Sequence, residues 1–203
     1  MSYIVVRFYA PTGDLQAEEL SQRAGKEIVP HLLKTGCQRY TTIKFLNGHV
    51  GSVSFYPDKA AADRAAEIAI EWAKGTGGVQ GLARTLRGEQ VFSHHNQESH
   101  SLANTFGVIR IYGSAAPAED VKAALELEAT PIIRNADGSL RYTCFRSDDG
   151  DNFVVLTAHT TRESATQLTA QAREAVKNGS RLQKVFPHPP EVIEGDIIQS
   201  YAS

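Results

Sequence analysis

The chain has 203 residues, of which 41% are hydrophobic and 22% charged, and its formal net charge is −2. This composition is typical of a globular protein, and the length suits one large domain or two of about 100 residues each. Basic residues are scattered and the pI is near 6.4, which excludes the basic stripe that nucleic acid binding needs. The sequence lacks both a run of about 18 apolar residues and a signal-peptide core, so it predicts a cytoplasmic protein without a membrane span.

The first half of the chain predicts the order strand, helix, strand, strand, helix, strand. Segments rich in β-branched and aromatic residues indicate the strands, and apolar residues at helical spacing indicate the helices. Asn47-Gly48 is a hairpin signal between the second and third strands, and Asp58 suits the N-cap of the second helix. The predicted elements are strands over 3–9, 39–45, 50–56 and 84–92, and helices over 16–33 and 58–74.

The second half repeats the first. VVRFY at 5–9 returns as VIRIY at 108–112, and RYT at 39–41 returns at 141–143. A repeat of about 100 residues is too long for a solenoid, so each copy is expected to be a small domain. We predict an N-terminal unit over 1–95, a polar linker over 96–103 and a C-terminal unit over 104–203.

The order βαββαβ is that of the ferredoxin-like unit, in which an antiparallel sheet carries both helices on one face. The other face of such a sheet needs a further layer to cover it. The sequence therefore predicts an α+β fold, in which two tandem ferredoxin-like units pack sheet to sheet as a pseudo-twofold α+β barrel.

The opening strand (5–9), the hairpin segment (48–56) and the helix (58–72) together resemble the dimeric α+β barrel superfamily, especially its antibiotic biosynthesis monooxygenase-like branch, in a tandem duplicated form. The resemblance implies a small-molecule cavity; some members oxidise aromatic polyketides without metal or organic cofactor, and others degrade haem. The haem-degrading members use an Asn on the first strand with a Trp and a His on the second helix. This chain has Arg7 and Trp72 there and no His, which disfavours haem degradation. We predict no cofactor.

Strand alternation separates Arg7 and Tyr9 from the aliphatic set Ile4, Val6 and Phe8. The aliphatic set suits the face under the helices, so the arginine face is expected to point between the sheets. The second copy repeats this pattern with Arg110 and Tyr112.

A buried guanidinium needs a partner. One interpretation is an anion-binding or acid-binding cavity flanked by the tyrosines. The other is a duplicated structural ion pair with the fourth strand of each unit, Arg7 with Glu89 and Arg110 with Asp196.

The two copies have diverged unequally. Ser52 and Ser54 align with Val154 and Leu156, and Trp72 aligns with Ala175. We therefore predict that at most one ligand site survives, in the N-terminal half. Its predicted lining is Arg7, Tyr9, Ser52, Ser54 and Trp72. A largest cavity against Arg110, Tyr112 and Leu156 would contradict this placement.

The remaining reactive side chains predict no further chemistry. His94, His95 and His100 have a spacing that matches no compact zinc pattern, so no metal is predicted. Cys37 and Cys144 are expected to be free thiols.

Three functions remain open. The chain is predicted to bind a small molecule, either as a cofactor-independent monooxygenase-like enzyme acting on an aromatic or acidic substrate or as a non-catalytic binder. The alternative is a structural or interaction module with a filled interior. The sequence does not decide whether the protein is an enzyme. We expect either a monomer containing an internal pseudo-dimer or a homodimer.

Overall fold

The computed structural model describes residues 2–11, 17–76, 79–96, 101–177 and 180–203. Within these residues the strands are β1 (Tyr3–Pro11), β2 (Arg39–Phe45), β3 (Val50–Tyr56), β4 (Val79–His95), β5 (Thr105–Gly113), β6 (Ser139–Ser147), β7 (Asn152–His159) and β8 (Glu191–Ala202). The α-helices are α1 (Ala17–Glu27), α2 (Val29–Lys34), α3 (Lys59–Thr76), α4 (Ala118–Ala124), α5 (Thr130–Asn135), α6 (Arg162–Lys177) and α7 (Arg181–Val185). A π-helical turn, Leu125–Ala129, joins α4 to α5.

The strands hydrogen-bond in the order β1-β3-β2-β8-β5-β7-β6-β4, which closes into a barrel. This arrangement confirms the predicted fold class, an α+β barrel of two tandem ferredoxin-like repeats. In the part of the chain described, none of the helices combines the length and apolarity needed to cross a membrane.

The chain divides into two compact units that differ from the predicted halves. The first unit holds the chain up to Glu89 together with Gly195–Ser203, and the second holds Thr105–Glu194 together with the end of β4 from Gln90. Both β4 and β8 therefore start in one unit and end in the other. The predicted boundaries at 1–95 and 104–203 miss this exchange, because each strand continues past its own ferredoxin-like sheet. Residues 97–100 of the predicted linker lie outside the described residues.

Within the first unit the sheet order is β4-β1-β3-β2, the ferredoxin-like order, with the end of β8 added beside β2. The second unit has the equivalent order β8-β5-β7-β6, with the end of β4 added beside β6. Hairpin glycines fix the β2–β3 and β6–β7 turns, since Gly48 and Gly150 have φ angles of 84° and 77°. The side chain of Asp58 caps α3 by accepting a hydrogen bond from the Ala61 N–H at 2.7 Å.

Short helix α7 was not predicted. Its first N–H groups, those of Arg181 and Leu182, donate to the two carboxylate oxygens of Glu128 at 2.9 and 3.0 Å. Glu128 lies in the π-helical turn, which ends at Ala129, directly before the α5 helix and its second residue, Pro131. Proline has no N–H to donate to a preceding carbonyl, which favours a wider turn at this point.

The helices cover the face of each sheet that carries arginine. Tyr3 and Val5 pack against Ala24, Ile28 and Ala65 of the first unit's helices. The prediction that the aliphatic set Ile4, Val6 and Phe8 lies under the helices was wrong; Phe8 stacks on Phe45 at 5.3 Å on the other face. The interior of an eight-stranded barrel is just wide enough to be filled by side chains, so its uncharged residues pack there.

Candidate functional site

In the first unit, four of the five predicted lining residues meet at one small cavity. Arg7, Tyr9, Ser52 and Trp72 line a space of about 30 Å³ between the sheet and the helices. Ser54 does not line it; its hydroxyl donates to the Val5 carbonyl at 3.4 Å. The remaining lining residues are Leu20, Ser21, Ala24, Ile28, Leu32, Tyr40, Thr42, Val50, Gly51, Ala69 and Ala73.

Arg7 is buried, with 7% of its surface exposed, and the described residues place no carboxylate within ion-pair distance of it. The β4 strand does lie next to β1, as predicted, but it pairs Arg7 with Thr85 and Tyr3 with Glu89. Four residues along a strand span about 13 Å, so the predicted Arg7–Glu89 ion pair is not formed.

The equivalent ion pair of the second unit is not formed either. Asp196 lies in the part of β8 that belongs to the first unit, where its strand partner is Lys44 of β2. Arg110 donates instead to the hydroxyl of Thr157 at 3.3 Å and to that of Thr169. Each unit therefore buries one arginine that has a cavity beside it and, among the described residues, no acidic partner.

The larger cavity lies in the second unit. It has a volume of about 460 Å³ and extends from Arg110 and Tyr112 to the segment that follows α7. An inner pocket of about 50 Å³ continues it towards Tyr142 and Val155. This cavity lies against Arg110 and Tyr112 but not against Leu156, so the prediction that at most one site survives, in the N-terminal half, stays a prediction. The residues around the larger cavity are Arg110, Tyr112, Thr169, Ala172, Arg173, Val176, Gln183, Phe186, Pro187, His188, Pro189, Pro190 and Val192.

The strand register corrects the alignment of Ser52 and Ser54 with Val154 and Leu156. Ser52 pairs with Arg7, whereas the residue paired with Arg110 is Val155. By the same comparison Ser54, opposite Val5, corresponds to Thr157, opposite Val108. The sequence alignment was thus one residue out of step in β7, which exchanged the two faces of the strand. Of the two serines, only Ser52 has a counterpart without a hydroxyl, Val155; the counterpart of Ser54 is Thr157. Leu156 lies on the face of β7 opposite to the one that carries Val155, and so faces away from Arg110.

Tyrosines flank both arginines, and burial keeps them protonated. Burial raises the pKa of Tyr9 and of Tyr112, while the charges of Arg7 and Arg110 oppose that rise. Burial also raises the pKa of Tyr40. At neutral pH these hydroxyls therefore remain hydrogen-bond donors beside a guanidinium, a combination that suits an anion.

A buried histidine completes the polar group behind Arg110. The Nε2 atom of His159 lies 2.9 Å from the Thr157 hydroxyl, which also accepts from Arg110. Burial, together with the nearby charge of Arg110, lowers the pKa of His159 to about 4. His159 is therefore neutral at neutral pH, and it lies outside the cavity lining.

Within the described ranges, no group of three His, Cys, Asp or Glu side chains is placed to hold a metal ion. His94 is 2.9 Å from the Asn96 side chain and His95 is 3.0 Å from Ser93, while His100 lies outside the described residues. Cys37 and Cys144 are both buried free thiols.

Sequence reasoning missed several lining residues, among them Tyr40 in the first cavity and Arg173 in the second. Tyr40 and Tyr142 occupy the same place in the repeated RYT segment, so the repeat itself carried a signal for them. The repeat gave no signal for Arg173. Arg7 and Arg110 are 103 residues apart, and the same offset aligns Arg173 with Ile70, an apolar residue, in the first copy.

Comparison with known proteins identifies the fold. No protein-family model and no curated protein matches the sequence. A Fusobacterium nucleatum protein named "putative monooxygenase" has a TM-score of 0.68 and 13% identity, over 100% of this chain and 94% of its own. A Lactobacillus acidophilus protein of the same name and an "anthrone oxidase-like protein" both have a TM-score of 0.65 and 10% identity. Both similarities extend over 99% of this chain. They include 96% of the Lactobacillus acidophilus protein and 93% of the anthrone oxidase-like protein. The chain thus has the dimeric α+β barrel fold, as predicted.

Proposed function

We propose that this protein binds a small organic anion with a flat apolar body, such as an aromatic carboxylate or phenolate, in the cavity beside Arg110. The observation that carries the proposal is a buried guanidinium at a cavity of about 460 Å³, with no carboxylate to neutralise it among the described residues. That volume lies within the range of about 300–1,000 Å³ typical of small-molecule sites.

The lining supports a ligand with two different ends. Arg110 offers N–H donors at the inner end, where the Thr169 hydroxyl accepts one of its hydrogen bonds and itself donates to the Ala165 carbonyl at 2.7 Å. The exposed Arg173 adds a second positive charge. Phe186 stacks on Tyr112 with ring centroids 4.2 Å apart and provides an aromatic wall. Apolar side chains complete the lining. They are Ala172, Val176, Pro187, Pro189, Pro190 and Val192.

Calorimetric titration with 2-naphthoate tests the proposal, and the neutral 2-naphthamide serves as the matched probe. Because a hydrogen bond to a charged group contributes about 1.5–3 kcal/mol, Arg110→Gln should weaken naphthoate binding about 10- to 100-fold. The matched control is Arg7→Gln, which changes the equivalent arginine of the other unit and should leave naphthoate binding unchanged. Equal binding of the amide, or equal binding by Arg110→Gln, would contradict the proposal.

Oxidation of such a ligand is the second candidate, and the names of the structural relatives are what support it. In a cofactor-independent reaction the substrate supplies all four electrons that reduce O₂. The CH₂ group of an anthrone loses two hydrogens and gains one oxygen atom to become a carbonyl, and the other oxygen atom leaves with those hydrogens as water. Oxygen uptake with anthrone as the probe separates enzyme from binder. Uptake that Arg110→Gln does not reduce would reject the oxidation hypothesis.

A further inference from the structure

The cavity beside Arg7 differs in chemistry from the cavity beside Arg110. Its lining includes several hydroxyl groups, those of Tyr9, Ser21, Tyr40, Thr42 and Ser52. Its volume of about 30 Å³ holds only about two water-sized groups. A naphthalene-sized body therefore has no room there, whereas the head of a small oxyanion does.

Two buried polar groups in this cavity lack a balancing partner. Arg7 is 7% exposed and has no carboxylate within ion-pair distance among the described residues. Ser52, directly opposite Arg7 on β3, is 2% exposed; its hydroxyl lies close to the hydroxyls of Tyr9 and Tyr40 but forms no well-aligned hydrogen bond with them. A buried hydroxyl with poor hydrogen-bond geometry beside an unneutralised guanidinium is costly, and an anion that accepts from both offsets that cost.

Trp72 forms one wall of the cavity, and its orientation is fixed. Its indole N–H donates to the Glu27 carboxylate at 2.8 Å, which joins α3 to α1. A shallower groove of about 260 Å³ shares Arg7, Tyr9, Ala69 and Ala73 with the cavity lining. This groove gives a small anion a route to the guanidinium.

We propose that the Arg7 cavity is a second anion site, which takes a small monocarboxylate of about the size of acetate. The carboxylate would accept hydrogen bonds from Arg7 and Ser52, and the tyrosine hydroxyls would surround it. This site is independent of the Arg110 cavity, because the two share no lining residue.

Fluorescence of Trp72 tests the proposal directly, since it is the single tryptophan of the chain. Titration with sodium acetate at constant ionic strength should give a saturable change in emission. Arg7→Gln should weaken this response about 10- to 100-fold, and Ser52→Ala about 2- to 10-fold. Arg134→Gln, which removes an exposed positive charge away from the cavity, is the control and should respond as the unmodified protein does.

Three outcomes would overturn the proposal: no saturable change with acetate, an equal change with neutral acetamide, or an unweakened response in Arg7→Gln. If Arg7→Gln does not fold, as judged by its unfolding transition, Ser52→Ala decides, and an acetate response equal to that of the unmodified protein counts against the site. A benzoate response as strong as the acetate response would overturn the size limit.

Discussion

Arg7 and Arg110 occupy the same position in the two repeats, and neither has an acidic partner among the described residues. A structural role would be met more cheaply by an apolar residue, because burying a charge costs several kcal/mol unless it is paired. Their different surroundings separate the two sites: Ser52 faces Arg7, and Val155 faces Arg110. This substitution adds a hydroxyl beside Arg7 and an apolar side chain beside Arg110, and so contributes to the difference in polarity between the two cavities.

His159 makes stability depend on pH. Its native pKa of about 4 lies below the ordinary value of 6.5, so between these values the unfolded chain binds more protons than the native state. Stability is therefore lost as the pH falls through this window, by about 2 kcal/mol between pH 7 and pH 5. Urea unfolding at the two pH values measures this difference. His159→Gln should show a difference smaller by about that amount, and an identical pH dependence would contradict the assignment.

The sequence predicted which residues share a strand face with Arg7, but not which face of the strand the helices cover. Alternation correctly grouped Arg7 with Tyr9, and the repeat paired them with Arg110 and Tyr112. Both faces of β1 are buried in a barrel, so burial alone did not reveal which face the helices cover. The one-residue shift in β7 then misplaced the partner of Arg110, because the pleat turns a slip of one residue into a change of face.

At the scale of the elements, the predicted strands are present and the additions are short. The helix predicted over 16–33 is instead two helices, α1 and α2, which meet at Ile28 just before Pro30. Helix α7 has five residues, too few for a periodic signal, and it is held by a contact 53 residues away in sequence, Arg181 with Glu128. The strand ends were also beyond prediction. β4 has 17 residues and β8 has 12, longer than the usual 3–10, because each serves two sheets.

The contact between the π-helical turn and α7 has a measurable role at the edge of the second cavity. Glu128→Ala should cost about 1 kcal/mol of stability, since it leaves the first N–H groups of α7 unsatisfied. Amide hydrogen exchange should become faster across 181–186, which leads into the cavity wall. Glu126→Ala is the matched control; its exposed pairing with Lys122 at 3.8 Å contributes little, so exchange at 181–186 should not change. Equal protection in Glu128→Ala would show that α7 is held by its apolar contacts alone.

For the whole molecule, the end of the chain completes the unit that contains its beginning. Ile197 of β8 pairs with Ile43 of β2, and both side chains are buried. Ile197→Ala should cost about 2–5 kcal/mol. Its effect on hydrogen exchange should reach β2, although the substitution lies more than 150 residues away in sequence. Val192→Ala, at a half-exposed position on the same strand, should cost much less and leave β2 protected. Faster exchange confined to the second unit in Ile197→Ala would contradict this division of the chain.

The exchange of strand ends also bears on how the protein is made. During synthesis, β2 emerges from the ribosome about 150 residues before the part of β8 that pairs with it. Until that part of β8 has been synthesised, β2 has an open edge, and open strand edges promote aggregation. The first unit therefore cannot be completed before Gly195–Ser203 have left the ribosome. A chain that stops before Gly195 would leave the edge of β2 unpaired, so a truncation in the second repeat also damages the first.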